Sequence, residues 1–257
     1  MLESERHQII LNLLKVKKTV KLQELVELTN SSESTVRRES ESTVRRDLTL
    51  LEQKKFLKRV HGGASQLQGK LFESSITEKS TKNVHDKQLI ARFAASLVEE
   101  GDSIYLDAGS TIFELIPFLP VNIVVVTNGL NHIPALLNRG IKSFLIGGFC
   151  KPKTNALIGR GAMEGLRQYR FDKCFMGTNG IHSEYGFTTP DQEEAMIKQQ
   201  AISLSREAFV LADASKFSEI FFAKISDLSE ATIITTCLEE DLERKITRIT
   251  KLKVVTE

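Results

Sequence analysis

The sequence predicts an α/β protein of two domains, a small helical head ending in a β wing and a larger body with a mostly parallel sheet. Apolar residues recur at helical spacing through the N-terminal segment, and a short hairpin-like pattern follows them. Farther along, apolar strand-like runs alternate with helical stretches. The expected boundaries are 1–64 for the head, 65–83 for a polar linker and 84–257 for the body.

The head pattern is that of three helices and a wing. Ile10 and Leu14 belong to the apolar stripe of a first helix, and LQELVELT has the spacing of a second. Ser31 and Ser32 are candidate caps before a third helix that ends in RRDLTLLEQ. FLKRVHGGA is typical of a strand, a turn and a second strand. This order predicts a winged helix-turn-helix, whose second motif helix would enter the major groove of DNA.

The charges of the head favour a polyanionic partner. Residues 1–64 hold 13 Lys/Arg and 9 Asp/Glu, whereas the remainder holds 22 and 24. Arginine can form bidentate hydrogen bonds with guanine, and neighbouring hydroxyls can contact phosphates. Phe56 is the one aromatic residue of the head, and because single-strand binders stack bases on aromatic side chains, duplex DNA is favoured. A solvated helix face is the alternative. The predicted DNA-binding residues of the helix are Ser32, Ser34, Thr35, Arg37, Arg38, Ser42, Thr43, Arg45 and Arg46.

The body alternates strand-like runs with helices. The runs are SIYLDAG, IVVVTNG, SFLIGG, KCFMGTNG, AFVLADAS, ATIITT and KLKVVT. Helical stretches such as VHDKQLIARFAASLVEEGD, TIFELIPFL, GLNHIPALLN and DQEEAMIKQQAISLSRE separate most of them. This alternation predicts a mostly parallel sheet covered by helices on both faces.

Small and polar residues follow several of these strands, where an open α/β sheet has its ligand crevice. Glycines there would let backbone amides approach an anion, and a helix that starts at Ser110 would favour phosphate. Neither a GxGxxG nor a Walker motif occurs, so a small phosphorylated ligand is expected rather than a nucleotide. Ordinary turn chemistry is the alternative. The predicted strand-end residues are Asp107, Gly109, Ser110, Thr111, Asn128, Gly129, Gly147, Gly148, Gly177, Asn179, Gly180, Asp213 and Lys216.

The segment GFTTPDQEEAMIKQQ adds charged groups to this crevice. Asp191, Glu193 and Glu194 can accept sugar hydroxyls, and Lys198 can meet a phosphate or a carbonyl. Alternatively, these acids only favour the start of a helix behind a proline, and Glu194 and Lys198 form an ordinary i,i+4 surface pair.

Together these residues resemble DeoR-type bacterial transcription regulators over the whole chain. Arg6, Ile10 and Leu14, the run STVRRDL and the wing end RVHGGA match the head of that family. DAGST, TNG, IGG, GTNGI, TTPDQEEA and ADASKF match its sensor domain, which is similar in fold to ribose-5-phosphate isomerase. The resemblance implies a sugar-phosphate effector, double-stranded operator DNA and a homodimer or tetramer. It also implies DNA contacts from the wing residues Lys58, Arg59, His61 and Gly62.

One feature departs from the family pattern, because ESTVRR occurs at 33–38 and again at 41–46. The stretch 33–48 is a tandem duplication of eight residues, and only the second copy continues into Asp47 and Leu48. Eight residues turn a helix about 80° beyond two full turns and advance it about 12 Å. The two copies therefore cannot both occupy the same position in the major groove.

The function expected from these features is repression of a sugar uptake or catabolism operon, with fructose 1-phosphate as the first candidate effector and galactose or tagatose phosphates as the second. A sugar-phosphate isomerase with Asp107, Asp191, Glu193 and Lys198 as acid–base groups is one alternative. A paralogue disabled by the duplication is another. Three cysteines without a CxxC, scattered histidines and no apolar run of membrane length predict a cytoplasmic protein without metal or cofactor.

Overall fold

The computed structural model describes residues 2–17, 19–29, 37–54, 56–60, 62–66 and 69–256, and these form two compact units, Met1–Gly69 and Lys70–Glu257. The division lies inside the segment 65–83 that the sequence analysis treats as a linker. Ser65 belongs to a strand of the wing, whereas residues 70–83 contain a helix and the buried Glu73. The segment 70–83 is therefore part of the body, because its polar side chains have partners there.

The head consists of three helices and a three-stranded antiparallel sheet, as predicted for a winged helix-turn-helix. In chain order its elements are α1 Glu3–Lys17, β1 Thr19–Lys21, α2 Leu22–Thr29, α3 Arg37–Gln53, β2 Leu57–Val60 and β3 Gly63–Gln66. Strand β3 lies between β1 and β2. At Gly63 a Cβ would stand 2.1 Å from the Val20 carbonyl oxygen, so this glycine allows β1 and β3 to pair closely.

The body contains seven described α-helices and twelve strands. The helices are α4 Ile76–Ser80, α5 Val84–Ala95, α6 Ser110–Phe113, α7 His132–Asn138, α8 Arg160–Leu166, α9 Gln192–Ser203 and α10 Glu240–Thr247. The strands are β4 Ser103–Leu106, β5 Val124–Thr127, β6 Lys142–Leu145, β7 Phe149–Lys151, β8 Ala156–Ile158, β9 Phe171–Gly177, β10 Gly180–His182, β11 Gly186–Thr189, β12 Ser205–Leu211, β13 Ala223–Ser226, β14 Thr232–Thr235 and β15 Leu252–Val254.

Seven of these strands form one parallel sheet in the order β15-β14-β12-β9-β4-β5-β6. Each of the seven predicted runs supplies one of them, which confirms the mostly parallel sheet. Residues alternate between two apolar clusters, as the pleat of a strand requires. On β9, Cys174 and Met176 join the cluster that includes residues of α8 and α9, whereas Phe175 joins the cluster beneath α5. Helices therefore cover both faces of the sheet.

The sequence analysis did not predict the short strands of the body. β7 and β8 form an antiparallel hairpin, and β10, β11 and β13 form a separate small sheet. Sequences such as FCK, GFTT and AKIS are not part of a continuous apolar run, so they lack the pattern that marks the strands of the main sheet. The stretch TIFELIPFL, predicted as one helix, divides into α6 and a 3₁₀ turn at Ile116–Phe118 that includes Pro117.

Candidate functional sites

The buried stripe of α3 comes from the second copy of the repeat. Val44, Leu48 and Leu51 are 1%, 2% and 2% exposed and lie in one apolar cluster with Leu25 of α2. Their i, i+4, i+7 spacing places them on one face of the helix. Arg45 is exposed on the other side. Val44 and Leu48 of the second copy, with Leu51 just after it, therefore fix α3 in the head.

A buried ion pair supports the same register. The Arg6 guanidinium donates to both carboxylate oxygens of Asp47, over 2.7 and 3.2 Å, and the His7 ring lies 3.3 Å from one of them. The hydrogen bond to Asp47 is the main cause of the raised pKa of Arg6. The first copy has Glu39 where the second has Asp47. Only the second copy therefore brings an aspartate to Arg6.

Arginines of α3 and the wing occupy one exposed region of the head. Arg45 pairs with Glu41 one turn away at 2.6 Å, and Ser42 and Arg46 are exposed beside it. Arg59 of β2 donates to the Thr49 hydroxyl over 2.9 Å, which links the wing to α3. Lys58 and Gly62 are exposed, and Gly62 turns the wing with φ of +76°. Thr43 is half-buried.

Several predicted DNA-binding residues lie outside the described residues. They are Ser32, Ser34, Thr35 and His61, and the candidate cap Ser31 lies outside as well. Arg37 and Arg38 begin α3, of which only the backbone is described at these two positions. Their roles stay predictions.

In the body, three strand ends and one helix meet at Asp107. This residue follows β4 and is 1% exposed. Its carboxylate accepts a hydrogen bond from the Gly177 amide at the end of β9 over 3.0 Å and forms an ion pair with the Lys198 ammonium of α9. The next amide, Ala108, donates to the side chain of Asn128 after β5 over 2.7 Å. The predicted residues Asp107, Asn128, Gly177 and Lys198 therefore form one polar group.

The N-terminus of α9 forms a second polar group. Asp191 caps the helix by accepting from the amides of Glu193 and Glu194, over 2.8 and 3.1 Å, as the helix-start interpretation requires. The Glu194 carboxylate is buried and accepts from the Thr154 hydroxyl over 2.8 Å. Glu194 and Lys198 have separate buried partners, so the i,i+4 surface-pair interpretation is wrong.

Sequence reasoning missed the residue that joins this group together. The Lys151 ammonium of β7 lies 2.9 Å from Asp191, 3.1 Å from Glu194 and 2.5 Å from Glu73. Burial disfavours its charge, but Glu194 and the hydrogen bonds to Glu73 and Asp191 outweigh this effect, so the pKa of Lys151 is raised. The sequence signal was weak, because it consists of a lysine shortly after IGG and one of two acids in the predicted linker.

Some of the predicted glycines pack closely against other atoms of the protein and do not line open space for a ligand. A Cβ on Gly148 would lie 2.5 Å from the Ile158 carbonyl oxygen, and one on Gly180 would lie 2.4 Å from that of Glu219. Gly129 lies against the His132 ring. At Gly109, Gly147 and Gly177 a Cβ would meet nothing closer than 3.6 Å. At the last three positions, therefore, close packing does not require a glycine.

The remaining predicted residues are spread along the same edge of the sheet. Asp213 follows β12 and caps the turn Ala214–Lys216, and it also accepts from the Asn83 side chain over 3.0 Å. The Asn179 side chain accepts from the Thr189 hydroxyl over 3.0 Å. Glu193 is exposed, Ser110 begins α6 as predicted, and Thr111 is buried in its first turn.

A separate cavity lies at the opposite edge of the sheet, where β4, β9 and β12 begin. It measures about 410 Å³ and is lined by Ser103, Arg170, Asp172 and Arg206 among others. None of the predicted ligand residues lies there. Ligands of open α/β sheets bind at the carboxyl ends of the strands, so the polar group at Asp107 is the stronger candidate site.

The head and the body together define a class of protein, a winged-helix DNA-binding unit followed by an α/β sensor unit. Residues 82–236 match the model of the DeoR C terminal sensor domain. Residues 6–39 and 40–69 match that of the DeoR-like helix-turn-helix domain as two segments, which meet inside the duplication. The chain belongs to the DeoR family. It is a DNA-binding regulator and not an enzyme.

Several relatives are similar over most of their length. A Bacillus subtilis chain called an uncharacterized HTH-type transcriptional regulator FruR is 52% identical over 242 residues, covering 93% of each chain. The lactose phosphotransferase system repressor of Streptococcus mutans is 32% identical over 260 residues, covering 98% of this chain and 99% of its own. The putative aga operon transcriptional repressor of Escherichia coli O157:H7 is 30% identical, covering 90% and 85%.

Solved structures give weaker matches. Ribose 5-phosphate isomerase A of Methanocaldococcus jannaschii has a TM-score of 0.39 and 18% identity, over 53% of this chain and 55% of its own. The eIF2B delta subunit of Chaetomium thermophilum has a TM-score of 0.41 and 15% identity, over 71% and 56%. Scores this low support no statement about function. Among the described helices, none has the length and apolarity to cross a membrane.

Proposed function

We propose that this chain is a repressor of a sugar uptake or catabolism operon, and that a phosphorylated sugar bound in the crevice at Asp107 weakens its hold on operator DNA. The observation that carries the proposal is the pairing of two units in one chain. One unit presents an exposed basic helix, and the other a group of polar residues at the strand ends. A ligand in the body alters DNA binding only if it binds one arrangement of the protein better than the other.

On the DNA side, we assign the reading surface to the second copy of the repeat. Ser42, Arg45 and Arg46 are exposed there, while Val44 and Leu48 of the same copy hold the helix in the head. Guanidinium groups suit guanine edges and phosphates, and hydroxyls suit phosphates. Lys58, Arg59 and Gly62 are the described wing positions of this surface. A two-fold homodimer or a tetramer would present paired heads to a repeated operator.

On the effector side, we assign sugar hydroxyls to the carboxylates at the start of α9 and the phosphate to the neighbouring strand ends. Asp191 is about one-quarter exposed. Partial burial opposes its ionisation, but Lys151 and the amides of Glu193 and Glu194 outweigh this effect and lower its pKa, so its carboxylate can accept hydrogen bonds from hydroxyls. Gly109, Gly147 and Gly177 leave space beside the strand ends. The Lys198 ammonium pairs with Asp107 and has further hydrogens that a phosphate oxygen could accept.

The effector is proposed by analogy with the relatives. The motifs GTNGI and TTPDQEEA most resemble the fructose-type branch of the family, which supports fructose 1-phosphate as the first candidate. Similarity to lactose phosphotransferase system repressors supports galactose or tagatose phosphates as the second. In this function the protein acts on DNA in the cytoplasm.

A thermal-shift panel of hexose phosphates on the full chain tests the crevice. Fructose 1-phosphate is expected to raise the melting temperature of the wild type and of Lys224→Met, which breaks an exposed ion pair with Asp227 elsewhere in the body. It is not expected to stabilise Asp107→Asn combined with Lys198→Met. No shift with any hexose phosphate, or an undiminished shift in the double variant, would refute the proposed site.

A further inference from the structure

A buried ionic group joins the crevice to the chain segment that follows the head. Glu73 is 4% exposed although it lies only four residues after the end of the head unit at Gly69. Its carboxylate accepts from Lys79 of α4 over 3.1 Å and from Lys151 of β7 over 2.5 Å. Burial alone would raise the pKa of Glu73, but the two ammonium groups lower it, so the carboxylate is held ionised.

Lys151 reaches the crevice from the same place. Its ammonium contacts Asp191 and Glu194, which lie at the cap and in the first turn of α9. The Lys151 ammonium thus forms ion pairs with three carboxylates, one from segment 70–83 and two from the start of α9. The position of the ammonium is a compromise among three attractions, so weakening its contacts with two carboxylates lets it move closer to the third.

The segment 70–83 contacts the body beside this group and also away from it, where the Asn83 side chain donates to Asp213 over 3.0 Å. The Ile76 amide donates to the Lys153 carbonyl over 2.9 Å, and the Lys79 carbonyl accepts from Lys87. Ser75 and Glu78 form a capping box that fixes α4 internally. Removing Lys151 from Glu73 would leave a buried carboxylate with one ammonium partner instead of two, so the segment would open more readily.

We infer that Lys151 is a positioning residue of the crevice that couples its occupancy to segment 70–83. This inference rests on the proposed function. When a polyhydroxylated ligand donates hydrogen bonds to Asp191 and Glu194, these carboxylates hold Lys151 less strongly, and Lys151 binds Glu73 more firmly. Segment 70–83, which directly follows the head in the chain, is thereby held more tightly against the body.

Hydrogen exchange of the full chain with and without fructose 1-phosphate tests the coupling. In the wild type, the ligand is expected to slow exchange of the amides of 76–80 about tenfold, equivalent to about 1.4 kcal/mol. In Lys151→Met, the ligand is expected still to slow exchange in α9 but to leave 76–80 unchanged. Lys224→Met is the matched control and should behave as the wild type.

Glu73→Gln gives a second route to the same answer, because it removes the charge at the other end of the contact and keeps the shape. It too should lose the ligand effect on 76–80 and keep the effect on α9. Retention of the 76–80 effect in both variants would refute the coupling while leaving the proposed function intact. If neither fructose 1-phosphate nor any other hexose phosphate binds the wild type, the proposed function fails and the inference falls with it.

Discussion

Truncating Val44 to alanine distinguishes the two copies of the repeat. Val44 is 1% exposed in the head cluster, and Val36 is its counterpart in the first ESTVRR. The truncation removes two methyl groups, about 1.6 kcal/mol of transfer free energy, and the cavity left behind raises the cost to about 2–2.5 kcal/mol. For a unit the size of the head this lowers the melting temperature by roughly 10–15 °C.

Val36→Ala is the matched control, since it makes the same change within the same hexapeptide. Because copies eight residues apart cannot both occupy one position on the head, we expect this variant to cost under about 0.5 kcal/mol. Val36 lies outside the described residues. Scanning calorimetry of the full chain measures both variants, and Leu25→Ala identifies the head transition because Leu25 is fully buried there. A larger loss in Val36→Ala than in Val44→Ala would show that the first copy fills the core.

Three further predictions concern the DNA surface, the crevice and pH. Replacing Arg45 and Arg46 with alanine should weaken binding to all duplexes and reduce the salt slope by about one per lost phosphate contact, whereas Arg244→Ala on α10 should change neither. Lys198→Met should destabilise the body by about 3–5 kcal/mol because it leaves the Asp107 carboxylate buried and unpaired, and adding Asp107→Asn should recover most of the loss in urea unfolding. Burial lowers the pKa of His132 to about 4, so protonation of this residue favours the unfolded chain. The free energy of unfolding should therefore fall by about 3 kcal/mol from pH 6.5 to 4. His132→Asn should flatten this pH dependence.

The main sheet was predictable because most of its strands lie in apolar runs that end in small or polar residues. The run around Cys174 and Phe175, for example, serves both apolar clusters and is therefore apolar at successive positions. The short hairpin that carries Lys151 has no such pattern. Its position over the start of α9 is set by long-range packing, which local periodicity does not record.

The site was predictable as a set of residues but not as a set of contacts. Asp107 and Lys198 were both expected in the crevice, yet only the fold shows that they pair with each other. Glu73 was missed because acidic residues in a polar stretch are typical of a linker. The two copies of ESTVRR are identical in sequence, and the pairing of Arg6 with Asp47 is what distinguishes them.

The most direct test is to measure operator affinity while the concentration of a crevice-binding hexose phosphate is raised. Fluorescence anisotropy of a labelled operator should show the dissociation constant of the wild type rising at least tenfold at saturation, within the usual range of coupling between sites. By reciprocity, operator DNA should weaken hexose phosphate binding by the same factor. An operator affinity that stays constant while the crevice fills would contradict the regulation proposed for this protein.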